Sequence, residues 1–191
     1  MVKKFTLTEI INLSLSIIIL ILAFFTPNKN LYYGGVSFLI AEILSILFVR
    51  VLPLPFTSFE VTILQFQIFI SIFLGTTLNF YGLISEFDFL LHISFGVVAS
   101  VLSIPFIKFF INKLNLDINK TQILFIIFII FCFSTTCGTL WEIYEFSVDK
   151  LLGLNTQNNS LLDTMSDIIA NTIGTLSFCI IYSYKHKKQA K

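Results

Sequence analysis

Three short stretches carry the side chains that could do chemistry. In "EFDFLLHISFG", Asp88, His92 and Gly96 are spaced i, i+4, i+8 and share one helix face. In "WEIYEFSVDK", Glu142, Glu145 and Asp149 follow at i, i+3, i+7. In "LLDTMSDIIANTIG", Asp163, Asp167, Asn171 and Gly174 stand at i, i+4, i+8, i+11. One imidazole among carboxylate oxygens is a donor set for a divalent ion such as Mg, Mn, Ca or Zn. The pattern predicts His92, Glu142 and Asp167 as metal ligands. A metal there could activate water or a phosphate ester, with Glu145 or Asp163 as the catalytic base. Asp88, Asn171, Thr164 and Trp141 support the group. Glu42, in "FLIAEILSI", is the most deeply placed carboxylate in the chain.

The same residues admit plainer readings. Glu145, Asp149 and Asp163 fit solvated helix ends, with Asp163 as an N-cap before "TMSD". His92 fits a hydrogen-bonded packing histidine, and Glu42 a lone protonated carboxyl. Trp141 and Tyr144 fit an interfacial aromatic belt. Gly96, Gly138 and Gly174 fit close helix packing. Glu142 and Asp167 resist such readings because both fall inside apolar runs. A charge there costs about 2.5–3.5 kcal/mol on insertion scales, and the nearby cations are few.

The elements that must position these residues are membrane spans. Of 191 residues, 56% are hydrophobic and 12% charged, against about 25% charged in soluble domains. A soluble fold of this size could not hide that much apolar surface. Six runs are long enough to span, over residues 9–26, 34–52, 62–80, 89–111, 121–145 and 162–184. The breaks between them are short and rich in turn residues, as in "TPNKN" and "GLNTQNNS". The reading is an all-α membrane protein, a six-transmembrane-helix bundle in one integral membrane domain over 1–191. Lys3 and Lys4 precede a first run without a small-residue cleavage site, so that run reads as a retained helix.

Charge supplies a direction. Lys3, Lys4, Arg50, Lys108, Lys113, Lys120, Lys185, Lys187, Lys188 and Lys191 fall on one side of a six-span arrangement; Lys29 and Lys150 fall on the other. By the positive-inside rule both termini are cytoplasmic. Glu86, Asp88, Glu142, Glu145, Asp149, Asp163 and Asp167 then gather at the outer face, while Glu9, Glu60 and Asp117 lie near the inner one. At about 1.5 Å of rise per residue, His92, Glu142 and Asp167 reach similar depths. The net charge of +1 says nothing about nucleic acid, and without a basic stripe or aromatic-spaced basic motif no nucleic-acid partner is expected. Cys132, Cys137 and Cys179 are odd in number and lie in apolar runs, which argues against a disulfide framework.

"FDFLLHISFG", "LWEIYEFSVDKLLGLNTQ" and "LLDTMSDIIANTIG" resemble the signature blocks of the YjdF-type bacterial inner-membrane proteins. Asp88, His92, Gly96, Glu142, Glu145, Gly153, Asn155, Gln157, Asp163, Thr164, Asp167 and Gly174 carry the match. Asn171 stands where relatives often have aspartate, and Phe146 where they have tryptophan. The resemblance covers roughly 85–180 and implies a multi-pass protein of the bacterial plasma membrane. It implies that these residues act as a group, and it brings no reaction with it. A looser similarity links the chain to VanZ-like membrane proteins.

Three functions compete. A metal site at the outer leaflet would act on a lipid or lipid-linked phosphate. An accessory protein would use the polar cluster to pack its last three helices. A cation- or proton-coupled transporter would use Glu42, Asp167 and Glu142 as a relay; against it, the inner half offers few polar partners, chiefly Asn12, Gln65 and Gln67, and the chain shows no duplicated halves.

Overall fold

A computed structural model describes residues 4–116, 123–153, 155–158 and 160–189. Lys3, Lys120 and Lys191 of the charge count, and Asp117, lie outside the described residues. All regular structure among them is helical: α1 (Leu7–Phe25), α2 (Lys29–Val51), α3 (Ser58–Ile68) running into a π-helical stretch (Phe69–Thr77), α4 (Phe80–Leu83), α5 (Phe87–Lys113), α6 (Ile123–Leu152) and α7 (Leu161–Gln189). Six helices are long and apolar enough to cross a membrane. Helix boundaries lie close to the hydropathy runs, with α6 the main exception. It continues through residues 146–152, and Gly153 ends it at φ 68° with its N–H on Asp149 O at 3.1 Å.

The chain divides into two compact units, Met1–Phe87 and Asp88–Lys191. In the first, Thr6 and Glu9 form a reciprocal cap at the start of α1. The same Glu9 carboxylate receives both Arg50 guanidinium nitrogens, at 2.7 and 3.0 Å. This two-pronged pair joins the start of α1 to the end of α2. Thr57 and Glu60 cap α3 in the same way as Thr6 and Glu9 cap α1. Phe38, Phe56 and Val61 are buried in this unit, and Gly35 lets α2 approach Ile19 and Leu20 of α1.

The second unit packs α5, α6 and α7 through small residues. A Cβ on Gly96 would strike the backbone oxygen of Asn171, and one on Gly174 the backbone oxygen of Ile93. A Cβ on Gly138 would strike the Asn171 side chain. The expected close packing at these glycines is therefore present. Ser134 Oγ donates to Gly96 O at 2.9 Å and lies 2.7 Å from Thr175 Oγ1. Farther along, Ile107, Ile111, Ile126, Ile130 and Cys179 form an apolar cluster. All three cysteines are free thiols. Asp163 is not the N-cap of α7. Ser160 is, its Oγ accepting the Asp163 N–H at 3.3 Å, and Asp163 lies in the first turn, where the helix dipole favours a carboxylate.

Candidate functional site

The site is built by α5, α6 and α7 of the second unit. His92, Glu142 and Asp167 are each about 4% exposed, so all three predicted ligands are interior. His92 Nε2 lies 3.6 Å from Asp88 Oδ1 and 3.8 Å from Glu142 Oε1. Both separations are too long for a hydrogen bond. The groups converge without bonding one another. Asp88, His92 and Asp167 each bring a ligand atom to within 4.8 Å of the others. An ion held at about 2.0–2.6 Å from each donor spaces its ligands about 3–5 Å apart. Asp88, placed in support by the sequence, is thus a full member of the tightest group. Glu142 approaches that group through His92.

Glu142 is held by the connection between α6 and α7 and lies beside Thr164 of α7. Gln157 Nε2 donates to Glu142 Oε2 and to its backbone oxygen, both at 3.2 Å. Glu142 Oε1 is buried and has no hydrogen-bond partner among the described residues. A buried acceptor left so costs about 1–3 kcal/mol, and more if charged. Gln157 is placed by Asp149, whose carboxylate accepts the Thr156 N–H at 2.7 Å, the Thr156 hydroxyl at 2.7 Å and the Gln157 N–H at 3.0 Å. Asp149 is therefore a loop clamp, and the loop delivers an amide to Glu142. Spacing alone could not assign either role, because the connection between α6 and α7 folds back on α6.

The remaining candidates fall around this core. Glu145 is half-buried and accepts from Trp141 Nε1 at 3.1 Å. Asp163 accepts from Asn158 Nδ2 at 3.1 Å. Trp141 packs against Tyr144 and Phe95. Asn171 is buried and donates to Ser134 O at 3.4 Å, while its Oδ1 is unpartnered among the described residues. Thr164 lines a cavity of about 500 Å³ together with Glu142 and Gln157. Ile143, Phe146, Leu161 and Ile168 form its apolar wall, and Lys150 supplies its cation. Glu42 belongs to the first unit.

A family model described as predicted membrane protein (DUF2238) matches residues 8–188. The chain belongs to this family. The match takes in all six long helices of this DUF2238 protein, and with them every residue of the site. A protein of Thermotoga maritima, described as uncharacterized, is 31% identical over 123 residues, which is 64% of this chain. The chain spans 61% of that relative's length. No solved structure matches the chain.

Proposed function

We propose that this DUF2238 protein binds one divalent cation between α5, α6 and α7, with Asp88, His92 and Asp167 as ligands and Glu142 closing the site. The observation that carries this reading is the buried Glu142 Oε1, unpartnered among the described residues and 3.8 Å from His92 Nε2. A carboxylate in that position calls for a positive charge. His92 and Lys150 are the cationic side chains nearest in sequence, and Lys150 lines the neighbouring cavity with its ammonium over the Phe146 ring, 5.6 Å from the centroid. An oxygen-rich set with one imidazole accepts Mg, Mn, Ca or Zn.

The chain lies in the bacterial plasma membrane as one integral membrane domain, with both termini cytoplasmic and the site facing outward. The distribution of Lys and Arg supports that orientation. Of the YjdF-type signature residues, Asp88, Glu142 and Asp167 come close to His92. The neighbouring cavity shares Glu142 with the site and is apolar along Ile143, Phe146, Leu161 and Ile168, which suits a lipid or lipid-linked phosphate. Asp88, His92 and Asp167 would hold the ion, which would supply Lewis-acid polarisation of a phosphoryl oxygen; Glu145 or Asp163 would take the proton of the attacking water and return it to the lipid-side oxygen as that P–O bond breaks.

Isothermal titration of the detergent-purified protein with chlorides of Mg, Mn, Ca and Zn tests the cation. One of them should bind with a stoichiometry near one, and His92→Ala should remove that binding. Failure of all four to bind folded protein overturns the proposal. Release of phosphate from lipid-linked phosphates, measured with and without the ion, tests the substrate class separately.

A further inference from the structure

The first unit holds a second buried polar cluster. Glu42 of α2 is 0% exposed. Its Oε1 accepts from Asn12 Nδ2 of α1 at 3.1 Å. The same nitrogen donates to the backbone oxygen and to Oε1 of Gln65 on α3, both at 2.9 Å. Gln65 Nε2 donates to Ser45 Oγ at 2.9 Å, and Ser45 Oγ donates to Glu42 O at 2.9 Å. Three helices thus close a ring of hydrogen bonds around one carboxyl group. Glu42 Oε2 is also buried and has no hydrogen-bond partner among the described residues.

The neighbouring charges do not neutralise Glu42. From α1, Glu9 faces it with the same sign. Arg50, on α2, is engaged by Glu9 at 2.7 Å. From α3, Glu60 is bonded to the Thr57 backbone N–H at 2.8 Å. The π-helical stretch, "FISIFLGTT", brings no titratable group. An ionised Glu42 would have amide dipoles around it but no counter-charge among the groups just named, and membranes tolerate a buried charge only where a partner or an ion is supplied.

The ring also selects the ion. The Asn12 amide nitrogen sits among three oxygens, so the place where an alkali ion would collect acceptors is filled by a donor. A single carboxylate oxygen remains, which suits a proton. We propose that Asn12, Glu42, Ser45 and Gln65 form a proton-binding site within the first unit, with the proton on Glu42 Oε2. Such a carboxyl is the chemistry of a proton relay. It does not depend on the cation reading of the second unit.

Treatment of the detergent-purified, full-length protein with dicyclohexylcarbodiimide tests this directly. The carboxylic acid passes its proton to one carbodiimide nitrogen while its oxygen bonds the central carbon. An O-to-N acyl shift then leaves an N-acylurea, with no leaving group. Peptide mapping by mass spectrometry should find the adduct on Glu42, decreasing as the pH of treatment rises, and a water-soluble carbodiimide should leave Glu42 unmodified. Replacing potassium chloride by sodium chloride should change nothing. Protection by sodium would overturn the proton in favour of an alkali ion. An unmodified Glu42, together with no protonated-carboxyl infrared band at low pH that Glu42→Gln removes, would overturn the site. The adduct is mapped on the unaltered chain, so the test stands even if that variant fails to fold.

Discussion

Glu142 Oε1 lies 3.8 Å from His92 Nε2, buried and without a hydrogen-bond partner among the described residues. Two polar groups from different helices face each other across a gap that neither closes. The proposed cation, bound beside them, would give both a partner.

Glu142→Gln keeps the shape and removes the charge. Divalent-ion affinity should fall at least tenfold, about 1.4 kcal/mol or more. Thermal unfolding of the metal-free protein should be unchanged or shifted upward, because an unpaired buried acceptor of charge is gone. Calorimetric titration and an unfolding scan on the same sample check both halves.

Asp149→Ala should weaken ion binding without touching a ligand. The clamp on Thr156 and Gln157 is lost, and with it the amide that holds Glu142 Oε2. Partners that orient metal ligands cost about 10–100-fold in affinity when removed. Gln157→Ala should give an effect of the same size, and the double variant no more than either single one.

Gly174→Ala and Gly96→Ala should destabilise the second unit by about 1–3 kcal/mol, the usual cost of overpacking, since each new methyl meets backbone of a neighbouring helix rather than a movable side chain. Gly153→Ala meets nothing within 4 Å but sits at φ 68°, so its cost should be about 1 kcal/mol. Denaturation in mixed micelles ranks the three.

Arg50→Ala should destabilise the first unit by about 3 kcal/mol, because fully buried Glu9 loses its partner. Arg50→Ala combined with Glu9→Gln should recover part of that loss, which a double-mutant cycle reads.

Much of this was legible in the sequence because membrane spans advertise themselves by length and hydropathy. Helical spacing gives shared faces and similar depths for His92, Glu142 and Asp167, and all three are buried. Spacing along one helix could not divide the carboxylates by role. Asp88 joins the tight group because α5 begins one residue before it, which brings Asp88 and His92 together at i, i+4. Asp149 turns to the loop, and that fold-back leaves no periodic trace. The Glu9–Arg50 pair joins residues 41 apart, and no local pattern marks it beyond the T-x-x-E cap. The π-helical stretch at Phe69–Thr77 has no sequence signature that distinguishes it from the α-helix it continues.

Elemental analysis of the detergent-purified protein, prepared without chelators, tests the central claim most directly, with His92→Ala and Asp167→Asn prepared alongside. The cation reading predicts about one divalent ion per chain, lost in both variants while their helical content is retained. Folded protein free of divalent metal, or an ion content that the two variants leave unchanged, would contradict it.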